Sequence, residues 1–76
     1  MKELIELIAK KLVQHPEDVQ VRVIESEEGQ VLELRVHEED MGRVIGKSGK
    51  TAKAIRSMLS AAASKADVRA TLQILE

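Results

Sequence analysis

The sequence lacks several kinds of residue and segment, and each absence excludes a class of protein or site. It contains no cysteine, which excludes disulfide frameworks and thiolate metal sites. It contains no Phe, Tyr or Trp, which excludes sites built on aromatic stacking. No apolar run is long enough to span a membrane, and Lys2, Glu3 and Glu6 interrupt the first apolar stretch, where a signal peptide would stand. We therefore expect a reduced, cytoplasmic setting and no membrane association.

The apolar content and the charge distribution indicate a small domain with one basic segment. Apolar residues make up 43% of the 76 residues, which supports a single domain over residues 1–76 with a thin core. Residues 41–66 contain no Asp or Glu and six basic residues, whereas the rest of the chain holds the other six Lys and Arg residues and all 13 acidic residues. Such a segment is typical either of a surface that binds a polyanion or of a solvated helix face.

Hydrophobic spacing in the first half of the chain predicts a helix and a hairpin. Apolar residues at helical intervals indicate an amphipathic helix over residues 2–14, and His15 should end it because a residue before proline avoids the α region. Alternating apolar and polar residues indicate strands over residues 19–25 and 30–36. The turn between them is short and ends at a glycine, so the two strands should form an antiparallel hairpin.

The second half of the chain predicts two helices and a last strand. Residues 37–40, His-Glu-Glu-Asp, begin a short helix whose acidic residues stand in the first turn, where the helix dipole favours negative charge, and this helix should end near Ile45. A longer helix follows over residues 50–65, and alternation over residues 68–74 indicates a strand. Five apolar residues of the longer helix are predicted to face the core: Ile55, Met58, Leu59, Ala62 and Ala66.

The predicted order α-β-β-α-α-β restricts the topology of the sheet. A β-α-α-β crossover returns the chain in the same direction, so the last strand should lie beside the second strand and parallel to it. The three helices should then cover one face of the sheet. The opposite face is predicted to meet solvent through Arg22, Glu33, Arg35 and Thr71.

The loop over residues 46–49, with the sequence Gly-Lys-Ser-Gly, is the strongest candidate site. A glycine-bounded turn before a helix presents backbone N–H groups, the positive end of the helix dipole and a lysine, which together suit a phosphate. A Cβ at either glycine would hold the anion away from the backbone. The alternative is a tight turn without a ligand. A nucleotide-binding Walker A loop is excluded, because Met41 and Val44 stand where its first glycine is required.

No residue pattern predicts catalysis, a metal site or a cofactor. No nucleophile–base pair and no pair of buried carboxylates can be assembled from the predicted elements. His15 has no second His or Cys at metal-ligand spacing and is interpreted as a helix-end residue. Glu25, Glu27 and Glu28 are interpreted as a solvated turn rather than a cation site. We therefore predict that the protein is not an enzyme and takes no small-molecule substrate.

The loop in its setting resembles the K-homology (KH) domain of type II, the prokaryotic form of this RNA-binding fold. Residues 44–50 carry the loop motif between two helices, within the element order α-β-β-α-α-β. Four segments further resemble KhpA, a family of small bacterial stand-alone KH proteins: residues 1–4, 15–17, 39–47 and 52–56. The resemblance therefore covers essentially the whole chain. Ala52 departs from the wider pattern, since many KH domains carry Ile there, and it leaves less apolar bulk beside the loop.

The resemblance implies an α+β fold with a three-stranded mixed sheet and helices packed on one face. It also implies that the loop holds the backbone of single-stranded RNA, with bases in an apolar groove beside it. The residues that would bind RNA are Arg43, Val44, Ile45, Gly46, Lys47, Ser48, Gly49, Lys50, Lys53 and Arg56. Val44, Ile45 and Ala52 would form this groove or the core beneath it. Leu34 and Val36 are expected mainly in the core.

Two functions stay open at this point. The resemblance suggests an RNA chaperone or post-transcriptional regulator that pairs with itself or with a larger KH-containing protein. Without aromatic side chains, RNA binding should be weak and show little sequence preference.

The alternative is a protein-interaction adaptor that acts through dimerisation. A small, uncharged face of the long helix is the predicted dimer interface, because small residues let another helix approach closely. It consists of Ala54, Ser57, Ala61 and Ser64. A surface helix that merely tolerates alanine and serine is the competing interpretation.

Overall fold

The computed structural model describes residues 1–75 and has an α+β architecture. Its helices are α1 (Lys2–Leu12), α2 (Met41–Ile45) and α3 (Lys50–Lys65), and its strands are β1 (Gln20–Ser26), β2 (Gly29–Arg35) and β3 (Ala70–Leu75). One-turn 3₁₀ helices lie at Pro16–Asp18, Glu38–Asp40 and Lys47–Gly49. Over residues 1–75, no helix combines the length and the apolar character needed to cross a membrane. The order of helices and strands is the one that hydrophobic spacing predicts.

The three strands form one mixed sheet with β2 at its centre. β1 and β2 pair antiparallel, with Val21 opposite Leu34. β3 lies beside β2 and runs parallel to it, with Leu72 opposite Leu32. The predicted pairings are both confirmed. The crossover through α2 and α3 permits the parallel pair, since a tight turn can join only antiparallel strands.

The core lies between one face of the sheet and the three helices. The strands contribute alternate residues to it, because successive side chains of a strand point to opposite faces. The buried residues of the core are Ile5, Ala9, Val19, Val21, Leu32, Leu34, Val36, Val44, Ile55, Leu59 and Leu72. On the opposite face, Arg22, Arg35 and Thr71 are exposed. Glu33 is half-buried on that face. One face of the sheet is therefore covered and the other meets solvent, as predicted.

The core face of α3 differs from the prediction. The buried residues of this helix are Ala52, Ile55, Leu59 and Ala63. The prediction that Met58 and Ala66 face the core is wrong, because both are exposed and Met58 retains 44% of its accessible surface. The buried residues recur at intervals of three and four, which forms one narrow stripe along the helix. Met58 lies beside this stripe, and Ala66 lies beyond the last residue of the helix.

Asp40 has a structural role that differs from the one predicted for the acidic run. A position in the first turn of a helix accounts for the exposed Glu38 and Glu39, but the Asp40 side chain is fully buried. Its Oδ1 accepts the N–H of Gln14 at 3.1 Å, and its Oδ2 accepts the N–H of His15 at 3.0 Å. Because these two N–H groups donate to Asp40 and not to carbonyl groups of the helix, α1 ends at Leu12 and not at residue 14.

The ionised form of Asp40 should make the stability of the fold sensitive to acid. Burial is the largest single influence on the pKa of the Asp40 carboxyl and raises it, whereas the hydrogen bonds from the N–H groups of Gln14 and His15 lower it. The imidazole of His15 and the guanidinium of Arg43 lower this pKa as well, so it lies below the usual value. A group with a lowered pKa stabilises the fold above its unfolded-state pKa, about 3.9 for Asp, and this contribution is lost as the pH falls through the folded-state pKa.

We therefore expect the wild-type protein to have a higher melting temperature than Asp40→Asn at pH 7. The difference in melting temperature between the two proteins should shrink below about pH 4. Thermal unfolding followed by circular dichroism between pH 7 and pH 2.5, a range chosen around the ~3.9 reference pKa, measures this difference. A difference that stays constant across the range would contradict the role of the ionised carboxylate.

Candidate nucleic-acid interface

The loop between α2 and α3 has a backbone conformation that glycine favours. Gly46 has φ 77° and ψ 173°, and Gly49 has φ 74° and ψ 12°. Ser48 between them also has a positive φ, of 57°. The N–H of Gly49 donates to the carbonyl oxygen of Gly46 at 3.1 Å. The loop is therefore a closed turn that carries the chain directly from α2 into α3.

The two glycines are required for different physical reasons. A Cβ at Gly46 would lie 2.6 Å from Cβ and 2.8 Å from the backbone nitrogen of Thr51, so no side chain fits there. A Cβ at Gly49 would meet no atom within 4 Å. Gly46 is thus needed for the packing of the loop against Thr51. The surface beside Gly49 is open, as the phosphate interpretation requires.

α3 begins at the loop without a side-chain cap. Its N-cap residue is Gly49, and no side-chain capping hydrogen bond is made there. The first N–H groups of a helix have no acceptor within the helix, and the helix dipole places partial positive charge at this end. Lys47 and Ser48 are exposed beside this end of the helix. Two N–H groups at this point are used within the loop, since Gly49 donates to the carbonyl oxygen of Gly46 and Lys50 to that of Lys47. The loop therefore presents the positive end of the helix dipole and a lysine ammonium group to solvent.

Basic side chains continue from the loop along both helices. Lys50, Lys53 and Arg56 are exposed and follow one another at intervals of three along α3, which places them on one side of the helix. Arg43 in α2 is 51% exposed, and its Nε lies 3.9 Å from Oδ1 of Asp40. The basic side chains near the loop that form no ion pair within residues 1–75 are Lys47, Lys50, Lys53 and Arg56. Their charges are therefore available to an anionic ligand.

An apolar hollow of about 330 Å³ lies between α3 and β3. Its lining residues are Arg56, Leu59, Ser60, Ala70, Thr71 and Leu72. Arg56 therefore belongs both to the basic row of α3 and to the wall of the hollow, which joins the two surfaces. The contribution of β3 to this hollow was not predicted from the sequence. The predicted crossover could have indicated it, because it returns the chain from α3 into a strand that must pack against that helix.

The apolar residues predicted beside the loop divide between the core and the surface. Val44 is 0% and Ala52 is 4% exposed, so both support the loop from beneath and neither can contact a ligand. Of the two roles predicted for Val44, core and groove, the structure assigns it the core. Ile45 is 37% exposed and is the apolar residue of this group that reaches the surface. Leu34 and Val36 are buried in the core, as expected.

The structure brings His15 and His37 together, which their separation in the sequence does not suggest. Their rings stack with centroids 4.2 Å apart and planes inclined by 24°. His15 Nε2 lies 3.4 Å from Oε1 of Glu39. The side chains of His15, His37 and Glu39 are therefore close enough together to be considered as metal ligands. An imidazole nitrogen binds a metal through a lone pair in the plane of its ring, and two stacked rings cannot aim such lone pairs at one ion.

The Nδ1 atom of His37 is also committed to another bond. It accepts the backbone N–H of Glu39 at 3.0 Å and so caps the 3₁₀ turn before α2. The histidine pair is therefore arranged as a packing and capping contact. A second group of possible ligands, His15, Glu17 and Asp18, lies beside it on the surface. That the protein uses no metal stays a prediction.

Comparison with known proteins identifies the family. A profile described as KhpA/KhpB, KH domain, matches residues 2–74. The chain belongs to this family. The chain is 53% identical over 75 residues to the RNA-binding protein KhpA of Clostridium perfringens, covering 99% of this chain and 100% of the relative. It is 54% identical over 78 aligned positions to the RNA-binding protein KhpA of Halalkalibacterium halodurans, covering both chains completely. No solved structure matches the chain significantly.

Membership of the KhpA/KhpB family confirms three predictions made from the sequence. The resemblance to KhpA is confirmed over essentially the whole chain, and the α+β fold is that of a KH domain. The prediction that the protein is not an enzyme is also confirmed, because the family is a non-enzymatic one. A more divergent relative, the RNA-binding protein KhpA of Borreliella burgdorferi, is 47% identical over 74 residues and covers 97% of this chain.

Proposed function

We propose that the protein binds single-stranded RNA, with the phosphate backbone held at the loop over residues 46–49. The main support is the start of α3, where no side chain caps the helix. The basic side chains beside it, on the loop and on α3, form no ion pair within residues 1–75. Backbone N–H groups and a helix dipole suit phosphate oxygens, and lysine and arginine add electrostatic attraction. The names of the relatives, RNA-binding protein KhpA, support the same ligand.

The hollow between α3 and β3 would receive the bases that follow the clamped backbone. Its walls are aliphatic and hydroxyl-bearing, because the sequence contains no aromatic residue. Stacking on aromatic side chains contributes much of the affinity of other single-strand binders, so binding here should be weak and tolerant of sequence. These properties suit an RNA chaperone or post-transcriptional regulator that acts on many transcripts in the cytoplasm of a bacterium.

RNA binding at this surface should weaken steeply as salt rises. Each phosphate neutralised on a single strand contributes a slope of about −0.7 to a plot of log affinity against log salt concentration. Filter binding of a short single-stranded RNA between 50 and 300 mM NaCl, bracketing the roughly 50–200 mM interval over which such contacts are lost, measures the slope. A slope near zero would contradict an electrostatic contact with the backbone. Absence of binding at the lowest salt would favour the adaptor function.

The exposed surface of α3 favours self-association as a second candidate function. The predicted interface residues Ala54, Ser57, Ala61 and Ser64 are all exposed. Met58 adds a large exposed apolar side chain on the same helix. Ser64 also lines a second hollow, of about 560 Å³, near the C-terminal end of α3. A partner helix on this face, from a second copy or from a larger KH-containing protein, would therefore border the proposed RNA surface.

Ala61→Asp should convert a dimer into a folded monomer if this face is the interface. A two-fold contact pairs the face with its own copy, so one substitution places two carboxylates against each other. Sedimentation equilibrium at tens of micromolar protein measures the mass of the particle, and circular dichroism verifies the fold. Gln20→Asp, which adds the same single negative charge at an exposed position on β1, is the matched control. A monomeric wild type, or a dimeric Ala61→Asp variant, would remove this face from consideration.

A further inference from the structure

Asp40 is the one charged side chain that is fully buried among residues 1–75. A buried carboxylate requires hydrogen bonds that replace the water it has lost. Each of its oxygens accepts one backbone N–H, from Gln14 to Oδ1 and from His15 to Oδ2. Both bonds join segments that are far apart in the sequence, since the donors precede Asp40 by 26 and 25 residues.

The two donors lie where α1 has just ended. The N–H of Val13 still donates to the carbonyl oxygen of Ala9, but Val13 itself is extended, with φ −95° and ψ 161°. The next two N–H groups therefore leave the helix and need another acceptor. Asp40 supplies one oxygen to each of them. The carboxylate thus ties the end of α1 to the start of α2.

The position of α2 depends on the contacts at its two ends. The helix has five residues, Met41–Ile45, and one and a half turns of helix are too few to be stable alone. Val44 anchors it to the core from beneath. At the far end, Gly46 packs against Thr51. At the near end, the two hydrogen bonds to the Asp40 carboxylate set the distance and direction of α2 relative to α1.

We propose that Asp40 is a positioning residue for RNA binding, which holds α2 so that the loop over residues 46–49 and Arg43 meet the phosphate backbone. The proposal rests on the proposed function of that loop. Arg43 supports it directly, because its Nε lies 3.9 Å from Oδ1 of Asp40 while half of its side chain is in solvent. The buried carboxylate therefore orients one basic side chain of the interface and, through α2, the loop that follows.

The test replaces Asp40 with Asn, which keeps the size of the side chain but offers one acceptor oxygen and no negative charge. RNA affinity is measured by fluorescence anisotropy with a labelled single-stranded RNA, at a temperature where circular dichroism shows both proteins fully folded. We expect the affinity to fall by about fivefold or more, because a charge-assisted contact to each donor is lost and Arg43 is released. Asp18→Asn removes the same charge from an exposed position near the same junction and should change the affinity by less than about twofold, because salt screens an exposed charge.

Hydrogen exchange separates positioning from a general loss of stability. In Asp40→Asn the amides of residues 41–49 should exchange faster, while those of β1 and β2 keep their wild-type rates. Uniformly faster exchange with an affinity that follows only the folded fraction would overturn the proposal. If Asp40→Asn does not fold, Asp40→Glu keeps the charge but displaces it by one methylene group. It should then show the same local change, and wild-type affinity with wild-type exchange in Asp40→Glu would overturn the proposal.

The variant with Lys47→Asp and Ser48→Asp belongs in the same experiment. If that variant binds RNA as tightly as the wild type, the proposed function of the loop fails. If it loses affinity while a folded Asp40→Asn binds like the wild type, the loop keeps its function and only the positioning role of Asp40 is overturned.

Discussion

Replacing Lys47 and Ser48 together with Asp should lower the affinity for single-stranded RNA by at least about tenfold, because repulsion of phosphate replaces contacts worth roughly 1–3 kcal/mol each. Both side chains are exposed, and Asp tolerates the positive φ of residue 48. The free energy of unfolding should therefore change by no more than about 1 kcal/mol. Filter binding at low salt measures the affinity, and urea denaturation measures the stability.

A matched control separates the position of the charge from its amount. Lys10→Asp combined with Gln20→Asp makes the same change in net charge at exposed positions on α1 and β1. Its RNA affinity should stay within about threefold of the wild type, since the added charges stand at other positions and are screened beyond roughly 10 Å at 0.1 M salt. Equal losses in the two double variants would mean that net charge, and not the loop, controls binding. Unchanged affinity in the loop variant, with the fold intact, would refute the loop as the contact site.

Gly46→Ala should be strongly destabilising, with a loss of about 3 kcal/mol in the free energy of unfolding. A φ of 77° with a ψ of 173° belongs to a region that is essentially restricted to glycine and costs another residue about 1–3 kcal/mol. The added methyl group also overlaps Thr51, and overpacking of this kind costs about 1–3 kcal/mol. Urea denaturation followed by circular dichroism measures the loss.

Gly49→Ala is the matched comparison, because it adds the same methyl group to the other glycine of the loop. Its φ of 74° and ψ of 12° are left-handed helical values, which cost about 1–2 kcal/mol, and its Cβ meets no other atom within 4 Å. This variant should therefore remain folded. Its RNA affinity should fall, since the methyl group stands on the open surface proposed for phosphate. Equal destabilisation by the two substitutions would contradict the contact between Gly46 and Thr51.

The succession of elements could be read from the sequence because it depends on local rules. Side-chain period separates strands from helices, and the α conformation is disfavoured for a residue before proline. α3 spans Lys50–Lys65, which is the predicted range, and the strands differ from their predicted bounds by one or two residues. The parallel pairing of β2 with β3 also follows, because the topology of a crossover leaves few alternatives.

The loop motif could be found for the same reason. Glycine, lysine and serine at fixed spacing before a helical pattern describe a backbone conformation, and the positive φ values at Gly46 and Gly49 are the conformation that such a motif requires. The sequence could not show why residue 46 must be glycine, since this requirement depends on how closely Thr51 approaches across the turn.

Tertiary structure alone decided which side chains meet across distant parts of the chain. The burial of Asp40 depends on two N–H groups at the end of α1, and the exposure of Met58 depends on how much of α3 the neighbouring elements cover. The stacking of His15 on His37 and the hollow between α3 and β3 arise in the same way. Spacing along a chain reports which residues share a face of one element. It carries no information about how deeply a neighbouring element covers that face or which backbone groups are left for a remote side chain to bind.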